Sequence, residues 1–212
     1  MVSDKTIGRL SLYRRLLGTL LADGVRNVYS HQLAKMVGGT AAQVRRDVMA
    51  LGYTGSPIRG YDVQELIESI RVFLDAPTLQ GIALVGIGKL GRAIMAYFTG
   101  RRPNLSIVAA FDNDPYKADR VIHGCRCYVL EDLDRVIKEQ NIRVGIIAVP
   151  ATEAQAVADM LVRAGVAGML NFAPVRLQVP RHIYVEDIDM TMSLEKVAYF
   201  ARQSTAEKGI ER

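Results

Sequence analysis

Gly86, Gly88 and Gly91 stand in G-x-G-x-x-G spacing within IALVGIGKLGR, residues 82–92, after four apolar residues and before helix-forming sequence. The chemistry open to this pattern is the binding of a pyrophosphate. Gly86 permits a tight turn out of a buried strand, Gly88 lets main chain approach the phosphates, and Gly91 lets the next helix pack on that strand. The helix N-terminus, with Lys89 and Leu90 in its first turn, then offers unpaired N–H groups to the anion. A dinucleotide site also needs an acid about 20 residues further on, to accept from ribose hydroxyls. The apolar run 106–111 ends in Asp112, which takes that role, and no arginine is evident beside it to favour a phosphorylated ribose.

A second constellation is basic. Residues 1–60 hold nine Lys or Arg against three Asp and no Glu, although the whole chain is only +5, so the entire excess lies at the N-terminal end. Such a segment suits an anionic partner, most often nucleic acid. Leu10, Leu12, Leu16, Leu17, Leu20 and Leu21 recur at helical spacing over residues 6–22, which Asp23-Gly24 closes. Ser30 can cap a second helix, 31–37, that stops at Gly38-Gly39. Thr40 opens a third, running to Leu51, with Gln43 at the capping-box position. Helix, glycine turn, helix is the helix-turn-helix pattern, whose second helix enters the major groove N-terminus first. Thr40, Gln43, Arg45 and Arg46 would then face DNA, glutamine suiting adenine edges and arginine suiting guanine edges or phosphates. The segment 53–61, YTGSPIRGY, reads as a β-hairpin wing that adds Arg59. Asp62 caps another helix, with Glu65 three residues on, and Asp75 to Thr78 breaks it. On charge and turn pattern alone, a solvated basic helix in an ordinary bundle remains the alternative.

The glycine loop needs a sheet behind it. Strands are expected at 82–85, 106–111, 125–129, 143–149, 168–172 and 182–185, and helices at 89–98, 131–139, 152–164 (capped by Thr152) and 190–202. Turns are expected at 101–104 and at the acidic 186–189, and a polar, frayed tail at 204–212. Alternating strands and helices mean a Rossmann-type, doubly wound parallel sheet, with ligands at the carboxyl ends of its strands. That rule adds Ala148 to Pro150 and Asn171 to Pro174 as candidate contacts, although Asn171 and Pro174 equally suit a plain structural loop. No catalytic set follows these loops, and about 40 remaining residues cannot form a substrate domain. A binding protein fits better than a dehydrogenase. Met190, Met192, Leu194, Val197, Ala198, Phe200 and Ala201 make the last helix apolar on more than one side, to be buried on its own sheet or on a partner chain. Cys125 and Cys127 read as two partly buried thiols on one face of a strand, and His31, His123 and His182 are too scattered for a metal site. No apolar run is long enough to span a membrane and no signal peptide is evident, so a cytoplasmic location is expected.

The stretches TAAQVRRD (40–47), GYDV (60–63), GIGKLGRA (86–93), FDNDP (111–115) and LNFAPVRLQVP (170–180) together resemble the Rex family of redox-sensing transcriptional repressors. The resemblance covers nearly the whole chain. It implies a winged helix-turn-helix domain at 1–78, an NAD(H)-binding Rossmann domain at 79–188, and a domain-swapped helix and tail at 189–212. It further implies a homodimer that binds an inverted-repeat operator and releases it when NADH replaces NAD+. Gly86, Gly88 and Gly91 match the family's pyrophosphate loop, and Asp112 its ribose acid, which would select NAD(H) over NADP(H). Tyr97 and Asp189 match positions that meet across the dimer near the nicotinamide, with Arg15 as a third member of this switch. Taken as residues alone, Tyr97 is a core aromatic, Asp189 a helix cap and Arg15 a solvated base. The wing departs from the family: Gly55-Ser56-Pro57-Ile58-Arg59 stands where Gly-Lys-Arg-Gly is common. Two other classes compete, a nicotinamide-dependent oxidoreductase and a module binding CoA or another nucleotide. The basic N-terminal residues discriminate against both.

Overall fold

The computed structural model describes residues 2–101 and 104–210, the last seven as backbone only. The expected turn at 101–104 falls partly on Arg102 and Pro103, and the expected tail ends on Glu211 and Arg212; all four lie outside the described residues. The chain divides into two compact units, Met1–Pro77 and Thr78–Arg212.

The first unit contains α1 (Asp4–Ala22), β1 (Asn27–Val28), α2 (Ser30–Val37), α3 (Ala41–Met49), β2 (Tyr61–Asp62) and α4 (Val63–Leu74). Its core is built from the apolar stripes of the helices, with Leu10, Tyr13, Leu17, Leu33, Val44, Val48, Leu66 and Ile70 buried. Ser30 is the first residue of α2, and Tyr29 takes the cap position. Thr40 caps α3 through Gln43 N–H at 3.2 Å, but Gln43 does not return the bond, because its side chain turns to Asp47 instead. Helix α3 stops two residues earlier than expected, in a turn over Ala50 to Gly52. The expected wing hairpin is reduced to one pair, Ser56 and Gly60, closed by N–H···O bonds of 2.7 and 2.8 Å. Its second arm, β2, pairs antiparallel with β1. Asp62 caps α4 as expected, while the Glu65 carboxylate accepts from Tyr53 Oη at 2.9 Å.

The second unit is built on β3 (Gln80–Val85), β4 (Leu105–Asp112), β5 (Val121–Ile122), β6 (Cys125–Val129), β7 (Val144–Ile147), β8 (Gly168–Asn171) and β9 (Tyr184–Asp187). The helices are α5 (Lys89–Phe98), α6 (Leu133–Glu139), α7 (Ala151–Ala164) and α8 (Met190–Ile210). Strand order is β5-β6-β4-β3-β7-β8-β9, parallel throughout except for the β5–β6 edge hairpin. Without β5 this is the doubly wound order in which the chain reverses direction beside its first strand, here between β3 and β7. Both faces are covered. Ala83, Val85 and Phe111 join the α6–α7 side, while Ile82, Leu84 and Ala110 join the α5 side, as the period of two in a strand requires. Cys125 and Cys127, two apart on β6, both point into the α5 side, and burial, with Cys127 beside it, pushes the Cys125 thiol up to about 12.

Three expectations change here. Strand β9 starts two residues late, so Glu186 and Asp187 are strand rather than turn, held in register by Leu170↔Glu186 and Asn171↔Asp187. Helix α7 starts at Ala151, with Pro150 rather than Thr152 at the cap position. Helix α8 runs through the supposed frayed tail to Ile210.

Asn171 ties β8 to β9 and is wholly buried. Its Nδ2 donates to Val175 O and Asp187 Oδ1, both at 2.8 Å, and its Oδ1 accepts from Ala173 N at 3.0 Å. Asn171→Ala should lower stability by about 1–3 kcal/mol in urea denaturation, because the buried Ala173 N–H loses its acceptor and two part-buried bonds, to Val175 O and Asp187, are lost with it. A variant within about 0.5 kcal/mol of wild type would show that this tie contributes nothing.

Candidate nucleotide and nucleic-acid sites

Strand β3 hands over to α5 through Gly86-Ile87-Gly88. Gly86 has φ +102°, and a Cβ there would lie 2.4 Å from the Ala148 carbonyl oxygen. A Cβ on Gly91 would lie 1.9 Å from Gly86 O, so neither position accepts a side chain. A Cβ on Gly88 meets no protein atom within 4 Å; what glycine spares there is space beside the loop, the space a phosphate would take. Gly88 caps α5 without a side-chain bond, leaving first-turn N–H groups for an anion. Beside the loop lies a cleft of about 280 Å³, lined among others by Gly86, Gly88, Asp112, Lys117, Pro150 and Glu153. Lys89, Leu90 and Gly91 belong to α5 behind it. Asn171 and Pro174 are not among the lining residues, Asn171 being spent on the tie to β9 and Pro174 lying exposed on the following loop.

Asp112 ends β4 at 5% exposure. Its Oδ2 accepts from Ile87 N at 2.7 Å, its Oδ1 from Asp114 N at 2.9 Å, and Lys117 Nζ reaches both oxygens at 3.1 and 3.2 Å. Burial alone would raise this carboxyl, but the N–H groups of Asp114 and Ile87, with Lys117, hold it below its ordinary value. The acid therefore does two things at once: it pins the glycine loop and it faces the cleft. Sequence reasoning looked for an arginine beside Asp112 and missed Lys117, the lysine that pairs with it. The signal was present as a lysine five residues after Asp112 on a short Asp-Pro turn, but no periodicity points such a residue inward. Among the described residues no cluster of three His, Cys, Asp or Glu is assembled that could hold a metal.

On the first unit, α3 presents Arg45 and Arg46 to solvent. Arg45 Nη1 donates to Ser30 Oγ at 3.1 Å, and Arg46 Nη2 to Gln43 Oε1 at 3.1 Å. Arg59 is exposed at the wing, its N–H held by Ser56 Oγ at 3.3 Å. Tyr29, which the sequence did not single out, steadies the wing by donating its hydroxyl to Ile58 O. Between α3 and the wing runs a groove of about 380 Å³ that includes Tyr29, Arg45, Met49 and Tyr53. The inner face of α3 carries Asp47, a buried acid that the sequence reading only counted and gave no role, although it shares that face with Val44 and Val48.

The three switch candidates are all at the surface. Tyr97 is exposed on α5, with the Arg101 guanidinium 4.0 Å over its ring. Asp189 caps α8, accepting from Met192 N at 2.8 Å. Arg15 is exposed on α1. Among the described residues no hydrogen bond joins Tyr97 to Asp189 within one chain. Helix α8 itself is exposed over its described side chains, including Met190, Met192, Leu194, Val197, Tyr199 and Phe200 at 46–70%. Its described side chains do not pack on the sheet of its own chain. Among the described residues no helix is long and apolar enough to cross a membrane.

A basic winged helix followed on one chain by a switch-point sheet with a glycine loop defines a class, the proteins that pair a DNA-binding unit with a nucleotide-binding one. Two family models match accordingly: "Putative DNA-binding protein N-terminus" over residues 1–48 and "CoA binding domain" over residues 78–175. The chain is 42% identical over 197 residues to the redox-sensing transcriptional repressor Rex of Roseiflexus sp. (strain RS-1), covering 93% of this chain and 90% of the relative. It is 40% identical over 202 residues to Rex of Carboxydothermus hydrogenoformans, covering 95% and 97%. The crystal structure of RSP, a Rex-family repressor, bound to β-NAD+ and operator DNA matches with a TM-score of 0.89 and 31% identity over 100% of this chain and 97% of that one. RSP bound to β-NADH matches with a TM-score of 0.86 and 30% identity over 99% of each chain. The chain belongs to the Rex family of redox-sensing transcriptional repressors.

Two outcomes follow from the geometry. Gly91→Ala should destabilise the β3–α5 junction and abolish detectable NADH binding while leaving the N-terminal unit folded. Wild-type NADH titration in Gly91→Ala would disprove the close approach of α5 to Gly86. The second concerns acid. Burial works to raise the Asp47 carboxyl, but bonds from Arg9, Gln43 and Tyr13 outweigh it, and the folded value lies below the ordinary 3.8. A lowered folded value stabilises the unit above the unfolded pKa, and that stabilisation fades as pH falls from 3.8 through the folded value. Asp47→Asn should flatten the acid limb of the stability profile in this range; an unchanged limb would assign the acid sensitivity elsewhere.

Proposed function

We propose that this chain is an NADH-responsive repressor that binds its operator through α3 and the wing as a homodimer and lets go when NADH occupies the glycine-loop cleft. The observation that carries this reading is the whole-chain match to a repressor solved with β-NAD+, with β-NADH and with operator DNA. The chain's own geometry supports it. The first turn of α5 would offer its N–H groups to a pyrophosphate, and Asp112 at the end of β4 would accept from ribose hydroxyls. Lys117 is the displaceable partner of that acid: at 30% exposure it can swing out when ribose hydroxyls take its place, whereas the Ile87 and Asp114 N–H groups are fixed in main chain. Arg45, Arg46 and Arg59 give α3 and the wing exposed cations, and counterion release from DNA phosphates makes such binding strongly salt-dependent. Operator binding places the protein in the cytoplasm, with the DNA.

The partner for α8 is a second copy of the chain. The described apolar side chains of the helix are exposed, and exchange between two copies would cover both helices at once. In that arrangement Asp189 of one protomer reaches the partner's nucleotide site, where Tyr97 can hold it when neutral dihydronicotinamide is bound, while cationic NAD+ leaves it to Arg15. The two nucleotide states then favour two dimer geometries, only one of which sets the α3 helices one DNA turn apart.

Fluorescence anisotropy on a labelled operator duplex, with NADH, NAD+, NADPH and CoA titrated separately, tests the reading. Release by NADH at concentrations where NAD+ does not release is the expected result. CoA is the second reading, favoured by the family model over residues 78–175 and by Lys117, a cation within reach of a ribose phosphate; release by CoA alone would establish it in place of NADH. Deletion of residues 190–212 should leave a folded chain that sediments as a monomer. Tyr97→Phe and Asp189→Ala should keep DNA binding but raise the NADH concentration needed for release about tenfold or more, a coupling of the size usual between two sites. Release at the wild-type NADH concentration by both variants would move the switch to another contact.

A further inference from the structure

Asp47 is only 2% exposed, yet it lies on the helix whose outer face carries Arg45 and Arg46. Its carboxylate is held by Arg9 Nε at 2.6 Å and Nη2 at 2.7 Å, by the Tyr13 hydroxyl at 2.9 Å, and by Gln43 Nε2 at 2.9 Å. The last contact sets the orientation of Gln43. With the amide nitrogen given to Asp47, the amide oxygen points the other way, and there it accepts from Arg46 Nη2 at 3.1 Å. A glutamine reads adenine by presenting both ends of its amide to one base. Here one end is fastened to a buried anion and the other to a guanidinium. Swinging Gln43 onto a base would break a charge-assisted bond and leave the buried carboxylate short of a donor, a loss that a single exposed base contact does not recover. An arginine clamped in this way keeps its remaining N–H groups in one plane. That fork suits the O6 and N7 acceptors of guanine, and holding it in place lowers the ordering entropy of binding.

We infer that Gln43 is a positioning residue and not a base reader: rooted on Asp47, it orients Arg46, and Arg46 reads a guanine edge. The inference rests on α3 being the recognition helix. Arg9 and Tyr13 extend the chain of contacts to α1, so the direction of Arg46 is fixed by the core of the unit rather than by solvent.

The test selects duplexes from a random pool with the wild-type protein, Arg46→Ala, Gln43→Met and the double variant, then measures each against the wild-type consensus by anisotropy. Methionine matches the length of glutamine without its polar ends, and Gln43 is only half-buried, so this variant keeps the fold; thermal melts and NADH binding check it. Wild type should enrich a guanine in each half-site that Arg46→Ala no longer selects, with binding weakened on the order of tenfold. Gln43→Met should relax that same guanine and no other position, and should add nothing once Arg46 is alanine, as expected for residues acting through one contact. Asp47→Asn should relax the guanine in the same way. Loss of an adenine preference at a separate position in Gln43→Met, or effects that add in the double variant, would overturn the inference while leaving α3 as the reader. Uniform weakening by Arg46→Ala at every sequence would overturn it too, by making Arg46 a phosphate contact. Wild-type affinity and consensus in both Arg45→Ala and Arg46→Ala would remove α3 from the groove altogether, and the relay with it.

Discussion

A side chain on Gly91 would begin 1.9 Å from the carbonyl oxygen of Gly86, and the rest of the second unit depends on that close approach. It lets α5 start close to the end of β3, after only Gly86-Ile87-Gly88, so the first-turn N–H groups sit at the carboxyl edge of the sheet. It also sets Ile87 N–H where Asp112 can take it from β4, which fastens the loop to the neighbouring strand. Two glycines and one acid thus convert the end of a two-strand pair into an anion cradle. The reversal of strand order between β3 and β7 opens the space above it. Most of the stabilisation of the sheet is apolar burial on its two faces, but that burial is indifferent to where the cleft falls. The cleft is placed by a steric limit and a hydrogen bond.

The first unit meets the same problem with charge. A carboxylate inside a small helical domain is unfavourable unless its lone pairs are filled, and Asp47 is filled from two helices at once. Replacing such a group by an apolar residue often leaves a protein as stable or more so; what the charged version adds is direction. Hydrophobic contacts between α1 and α3 tolerate sliding, whereas a bidentate arginine and a tyrosine on one carboxylate allow a single register. For a helix proposed to enter a groove of fixed width, register would matter more than a further increment of stability.

Much of this was legible in the sequence, for identifiable reasons. The glycine spacing, the alternation of strand and helix and the basic N-terminal residues each reflect a constraint that acts on neighbouring residues, so the order of elements and the loop of the candidate site can be read directly. What escaped depends on contacts between distant residues or on weak local patterns. Lys117 lies on a turn with no periodicity, and only the fold brings it against Asp112. The register of β9 was misread by two residues because an edge strand with mostly exposed side chains carries little alternation. Strand β5, two residues long, is too short to show a period at all. Gln43 was placed correctly on the chain, but a capping box assumes no stronger partner one turn ahead, and Asp47 is that partner.

Helix α8 has a consequence for how much of the protein is functional at any moment. Twenty-one residues of helix with exposed described side chains stand at the edge of independent stability in water, so the helix persists to the extent that something covers it. If the cover is a second chain, the folded fraction of α8 depends on the total amount of protein, rising as concentration passes through the dissociation constant. Newly made chains at low abundance would then display an apolar, fraying segment to proteases, while chains past that threshold would not. A repressor built this way would be removed faster while scarce and protected once assembled, so its lifetime in the cell would follow its own abundance, a dependence that no contact with DNA or nucleotide supplies.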